Sequence, residues 1–161
     1  VFPAELMQVV DSVQDEFNKF AAINVVSLAE LYGGKICASI DRQHPRDLFD
    51  VKLLFENEGF NNEIWEGFKV GLISHYKPIN ELLSPVLKDQ KSAFKNQFAG
   101  MTSIGFSYDD YESTRDTLIR TITQRLTDDD KKFLISFEKG SPIWSLFPQP
   151  ILKDLPAVKW K

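Results

Sequence analysis

The chain reads as a mainly α protein, a multi-helix bundle with little or no β-sheet. Three observations predict this: apolar residues recur at spacings of three and four, polar capping residues open these runs, and glycine or proline closes them. With 161 residues and 43% apolar content the chain is long enough for one domain with a substantial core, so residues 1–161 are taken as a single helical domain.

Residues 3–20 place Leu6, Val9, Val10, Val13, Phe17 and Phe20 on one helical stripe and predict an amphipathic helix. AINVV, residues 22–26, is a short extended link. Ser27 followed three residues later by Glu30 fits a capping box and starts a helix that runs to about Arg42. After the break at RQHPRD, Pro45 suits a first helical turn and Asp47 suits the positive end of its dipole; this helix reaches Glu56 and stops near Gly59. Ile64, Trp65, Phe68, Leu72 and Ile73 predict a helix over 63–76, ended by Pro78. INELL is a short helix. Residues 86–98 read as another, with Leu87, Phe94 and Phe98 on one stripe and Lys88, Lys91 and Lys95 on a second. After the loop-like stretch 98–107, residues 108–126 are helical, and Thr127 caps a further helix whose first turn holds Asp128, Asp129 and Asp130. The proline-rich tail carries Trp144 and Trp160 and is expected to lie against the helices.

A formal charge of −4 excludes a protein that coats nucleic acid by bulk electrostatics, so any such contact has to be a local patch. The single cysteine, Cys37, leaves no disulfide framework and fits a core position in a cytoplasmic protein. No apolar run is long enough to span a membrane, and no basic leader precedes one. His44 has no second histidine or cysteine at ligand spacing, GGKI lacks the spacing of a phosphate loop, and no residue is assigned to a metal.

The block SLAELYGGKICASIDRQHPRDLFDVKLLFE concentrates the polar chemistry. Lys35 shares a helical face with Leu28, Leu31, Ala38 and Arg42, and Gly33 and Gly34 before it predict that a backbone, a base or a phosphate comes close. Asp47 and Asp50, three apart, share a face of the next helix, where a carboxylate can accept a proton from an attacking hydroxyl. Two readings stand side by side. In the structural one Lys35 snorkels, Asp47 favours a helix start and Arg46 pairs with Asp50 at i, i+4. In the functional one they form a site. The two differ in expected geometry: a salt-bridge network keeps Lys35 paired with Asp47 or Asp50 and leaves no cavity, whereas a site presents these groups to an open concave surface.

The same block resembles the third and fourth motifs of the AbiEii/AbiGii family of nucleotidyltransferase-like toxins: a lysine helix ending in arginine, then an Arg-Asp-x-x-Asp helix. FAGMTSIGFSYDDYESTRDTLIRTITQRLTDDDKKFLISFEKGSPIWSL and LPAVKWK are similar to its helical C-terminal half. The resemblance implies magnesium-dependent transfer of a nucleotide from an NTP to an acceptor, tRNA in some members, restrained by a cognate antitoxin. It implies that Lys35 binds triphosphate, that Asp50 supported by Asp47 is the catalytic carboxylate, and that Arg42 and Arg46 orient phosphate and carboxylates. The family's earlier Gly-Ser element and acidic metal-binding motif have no counterpart in place here. The expectation is therefore the C-terminal part of a longer toxin, with residues 1–58 carrying half an active site, residues 59–161 forming a helical bundle, and no activity in isolation.

Overall fold

The computed structural model describes residues 2–147 and 149–159. Strand β1 (Glu5–Gln8) pairs antiparallel with β2 (Ala22–Val25) in register Glu5↔Val25 to Gln8↔Ala22, and helix α1 (Asp11–Phe17) connects them. The single helix expected over 3–20 is thus replaced by a strand, a two-turn helix and a return. The ladder supplies the reason: Val9 N–H donates to the Ala21 carbonyl at 3.0 Å, continuing a pairing to residues that no local window sees. Asn18 closes α1 in the left-handed conformation at φ 47°.

From Ser27 onward local signals and structure agree, except over residues 84–90. Ser27 Oγ accepts from Glu30 N–H at 3.3 Å and opens α2 (Leu28–Arg42). His44 caps α3 (Pro45–Asn57) through its ring nitrogen, which accepts from Arg46 N–H at 3.2 Å, and Pro45 takes the first turn. Asn61 caps α4 (Asn62–Ser74), and α5 (Ile79–Leu83) follows Pro78. Reciprocal capping boxes, Ser107 with Asp110 and Thr127 with Asp130, open α7 (Tyr108–Arg125) and α8 (Asp128–Glu138). The tail makes two 3-10 turns, Trp144–Leu146 and Pro150–Asp154, and a last turn α9 (Pro156–Lys159). Phe147, Leu152 and Val158 are buried, so the tail does lie on the bundle; Trp160 is outside the described residues.

The helix expected over 86–98 shortens to α6 (Lys91–Gln97). Residues 84–90 are held out of it by Gln43, which sits in the left-handed conformation (φ 52°) between α2 and α3 with its side chain buried. Its amide donates to the Val86 carbonyl at 2.8 Å and accepts from Lys88 N–H at 2.9 Å. Phe94 and Phe98 do pack inward, but Leu87 is exposed.

The core runs through Ile36, Leu48, Phe68, Leu72, Tyr111, Leu118 and Phe133. Its tightest seam is α2 against α4. A Cβ on Gly33 would stand 2.3 Å from the Gly67 carbonyl carbon, and one on Gly67 would stand 1.9 Å from the Ala29 carbonyl oxygen. The space expected around Gly33 is therefore taken by a helix backbone, while a Cβ on Gly34 would meet no other element within 4 Å. Buried Lys69 on α4 meets Glu66 and Asp130, each at 2.9 Å, and lies 5.4 Å from the Phe147 ring. Burial alone would raise the Asp130 carboxyl. The hydrogen bonds from Lys69 and Thr127 outweigh it and hold this group below the usual range.

Candidate functional site

The seam between α2 and α3 carries the polar block. Lys35 and Arg42 lie seven apart on α2, Asp47 and Asp50 three apart on α3, and the two helices meet at the turn that Gln43 locks. Lys35 Nζ lies 2.5 Å from Asp50 Oδ2. One turn nearer the α2–α3 turn, Arg42 forks onto Asp47, Nε to Oδ2 at 3.0 Å and Nη2 to Oδ1 at 2.8 Å. Between the pairs the buried Ser39 hydroxyl stands 2.7 Å from the Lys35 carbonyl and 3.1 Å from the Asp47 carbonyl, fixing the distance between the helices.

Arg46 is set apart from these pairs. It does not bond Asp50, as i, i+4 spacing predicts; its Nε and Nη2 donate to the Gln97 carbonyl at 3.3 and 3.2 Å. The same Gln97 meets His44 Nε2 through its side chain at 3.0 Å. His44 thus caps a helix and holds α6 in place. Gln43, Ser39 and Gln97 had no signal in the sequence, because their contacts with Val86 and Lys88, with the Asp47 carbonyl, and with Arg46 and His44 exist only once the helices have packed. Tyr111 adds to this: its hydroxyl donates to the Gln43 carbonyl at 2.8 Å.

The pairing is the one expected of a salt-bridge network, and of Lys35, Arg42, Asp47 and Asp50 only Arg42 lines a groove, but the exposure is not that of a buried network. The Lys35 and Asp50 side chains remain 39% and 40% exposed, and Arg42 is 61% exposed. They stand on an open face of the protein. A groove of about 290 Å³ between α2 and α4 is lined by Gly34, Ala38, Arg42, Gly71, Ser74 and His75, and neither Lys35 nor Asp50 lines it. At its end Asp41 binds Lys77, with Tyr76 Oη at 3.3 Å and His75 Nε2 at 3.7 Å. Burial would raise the Asp41 carboxyl, but Lys77 chiefly, with His75 and Tyr76, holds it below the usual range.

The face of α2 that carries Lys35 and Arg42 continues toward the helix start through Leu31 and Leu28, both exposed, and the β1–β2 ribbon precedes that start in the chain. There Leu6, Met7, Val10, Val13, Phe17, Phe20 and Ile23 are also exposed, and α1 buries no residue. An apolar surface of this extent marks an interface. Leu31, on α2, lies one helical turn before Lys35.

Asp47 and Asp50 each face a cation rather than each other, and among the described residues no group of three His, Cys, Asp or Glu side chains is placed to hold a metal ion. The pair by itself does not fit magnesium. No helix of the described residues is long and apolar enough to cross a membrane.

Comparison with known proteins meets this geometry from the other side. No curated protein and no solved structure matches the chain. The profile described as nucleotidyl transferase AbiEii toxin, type IV toxin–antitoxin system, matches residues 1–147, which include β1, the α2–α3 block and α8. With that match over most of its length, a lysine helix packed on an Arg-Asp-x-x-Asp helix and a mainly helical fold, the chain belongs to the AbiEii toxin family of type IV toxin–antitoxin systems.

Proposed function

We propose that these residues form the helical part of a nucleotidyltransferase toxin that moves a nucleotide from an NTP to an acceptor such as tRNA. The observation that carries the reading is the pair of half-exposed ion pairs on the α2–α3 seam, with the exposed Leu31 one helical turn before Lys35. In the reaction an acceptor hydroxyl attacks the α-phosphorus of the NTP, pyrophosphate leaves, and the hydroxyl proton goes to a base. Asp50 is that base, supported by Asp47. Lys35 takes the triphosphate, and Arg42 and Arg46 orient phosphate and carboxylates. An exposed ion pair contributes only about 0–1 kcal/mol, so an arriving triphosphate can draw Lys35 from Asp50 at little cost and leave the carboxylate unpaired as a base. Charges aimed at the leaving pyrophosphate supply most of the rate in such chemistry.

Since Asp47 and Asp50 do not fit magnesium alone, no step here runs through the metal; carboxylates on a further lobe would complete its site. That lobe covers the β1–β2 ribbon, α1, Leu28 and Leu31, which places it beside Lys35. The protein acts in the cytoplasm, and the antitoxin that the family implies restrains it.

The test is nucleotide transfer to tRNA with labelled NTPs, by these residues alone and joined to whatever the same reading frame encodes before residue 1. Transfer is expected from the joined protein only, and is lost in Lys35→Ala and in Asp50→Ala. Strong labelling by residues 1–161 alone would refute the need for a second lobe. No transfer by the joined protein would favour the second reading, a helical interaction module whose ion pairs are structural, which the close pairing of Lys35 with Asp50 supports.

A further inference from the structure

Many cations elsewhere in this acidic protein are matched with carboxylates, Lys52 with Glu56, Lys69 with Glu66 and Asp130, Lys131 with Asp128, and Lys132 with Asp129, while Arg125 stands singly on the Phe60 carbonyl and Asn62. Around the α2–α3 turn the pattern changes. Segment 84–98 is laid along the turn by Gln43, by the Gln90 side chain donating to the Arg42 carbonyl at 3.2 Å, and by the Arg46 contact with Gln97. Four cations come together there. Arg46 is held by the Gln97 carbonyl, Lys88 Nζ donates to the Asp41 carbonyl at 2.8 Å, and Lys91 Nζ lies 5.6 Å from the Tyr108 ring centroid. Lys95 is one helical turn from Lys91 on α6.

All four are exposed, and among the described residues none forms an ion pair with a carboxylate. Nearby Asp41 and Asp47 are engaged by Lys77 and Arg42; Asp89 and Glu81 subtract from the field without cancelling it. Carbonyl dipoles and a ring face therefore fix Arg46, Lys88 and Lys91 in position without neutralising their charge, and α6 sets Lys95 beside Lys91. That arrangement presents positive potential to a ligand bearing several negative charges in a row.

We propose that Arg46, Lys88, Lys91 and Lys95 form a basic shelf along the α2–α3 turn that holds the phosphodiester backbone of an RNA strand. The inference rests on the transferase reading and adds to it the path of the acceptor: the shelf starts at Arg46, one helical turn from Asp50, and leads away from it along α6. The −4 charge of the whole chain makes a diffuse origin of such binding implausible and a local one testable.

The experiment is anisotropy of a fluorescent single-stranded RNA oligonucleotide titrated with the chain over a series of salt concentrations. The wild-type chain is expected to bind, with affinity falling as salt rises. Replacing both Lys91→Gln and Lys95→Gln weakens binding severalfold and flattens the log–log salt slope by about 0.7 for each lost phosphate contact. Replacing both Lys131→Gln and Lys132→Gln removes the same charge from α8 and leaves binding unchanged. DNA of the same sequence binding equally well upholds the shelf and widens its ligand to phosphodiester backbones in general. Absent or salt-independent RNA binding, equal loss in the two double variants, or displacement of RNA by an equal concentration of tripolyphosphate overturns the proposal. Binding is read without transfer, so the two readings fail separately. Shelf-dependent binding by a completed protein that transfers nothing removes only the enzyme; transfer that Lys91→Gln with Lys95→Gln leaves unaltered removes only the shelf.

Discussion

The two faces of α2 have opposite fates. On one, Ile36, Cys37 and Ile40 are sealed against α4 or neighbouring helices; on the other, Leu28 and Leu31 remain 46% and 40% exposed, and in the ribbon that precedes them in the chain Phe17 is 69% exposed. The side chains are of one kind and the spacing is helical on both. Periodicity therefore announces a face that wants covering, and burial follows only where this chain supplies the cover. In the bundle α4 supplies it, with Gly67 allowing backbone contact; over the ribbon nothing in the described residues does.

The bundle side is the one to break first. Lys69→Met strands the buried Asp130 carboxylate and leaves the half-buried Glu66 unpaired, at an expected cost of about 3–5 kcal/mol in urea unfolding. The wild-type protein should also show acid sensitivity from Asp130. Its folded pKa lies below the unfolded value of about 4, so its contribution is complete above that pH and is lost as pH falls through the folded value. Flat stability of the wild-type chain down through that range would contradict the pairing. Next comes Gly67→Ala: the added methyl meets the Ala29 carbonyl oxygen, the helices have to part, and about 3 kcal/mol is expected to be lost. A tolerated alanine would mean that α2 and α4 are not packed backbone to backbone. On the ribbon side the smallest effect is expected. Phe17→Ser in this chain should change stability by no more than about 0.5 kcal/mol while raising solubility. A loss comparable to that of Gly67→Ala would show that the ribbon's apolar face is already covered in solution, by a second copy or by residues outside those described.

Much of the candidate site was legible in the sequence, though its wiring was not. Lys35, Arg42, Asp47 and Asp50 were singled out by spacing, and the structure brings all four to one seam. Arg46 was placed beside Asp50 by i, i+4 reasoning, yet it bonds Gln97, because a carbonyl brought in by α6 outcompetes an exposed helical pair of small energy. The lysine stripe 88, 91, 95 fails as a helical stripe, because Gln43 straightens residues 84–90, and re-forms as a shelf built from two kinds of backbone.

By itself the sequence determined what nearest neighbours decide: the helices from Ser27 to Leu83 and from Tyr108 to Glu138, the cap at Thr127, the stop at Gly59 and the mainly α class. These depend on interactions within a few residues, where propensity and caps outweigh anything distant. Tertiary structure alone decided that residues 5–8 are a strand, that Gly33 and Gly67 serve a helix–helix seam, and which acceptor each cation of the α2–α3 turn takes. Those choices turn on partners tens of residues away, and a hydrogen bond or a packed methyl contributes its energy only once the fold has brought the partner within reach.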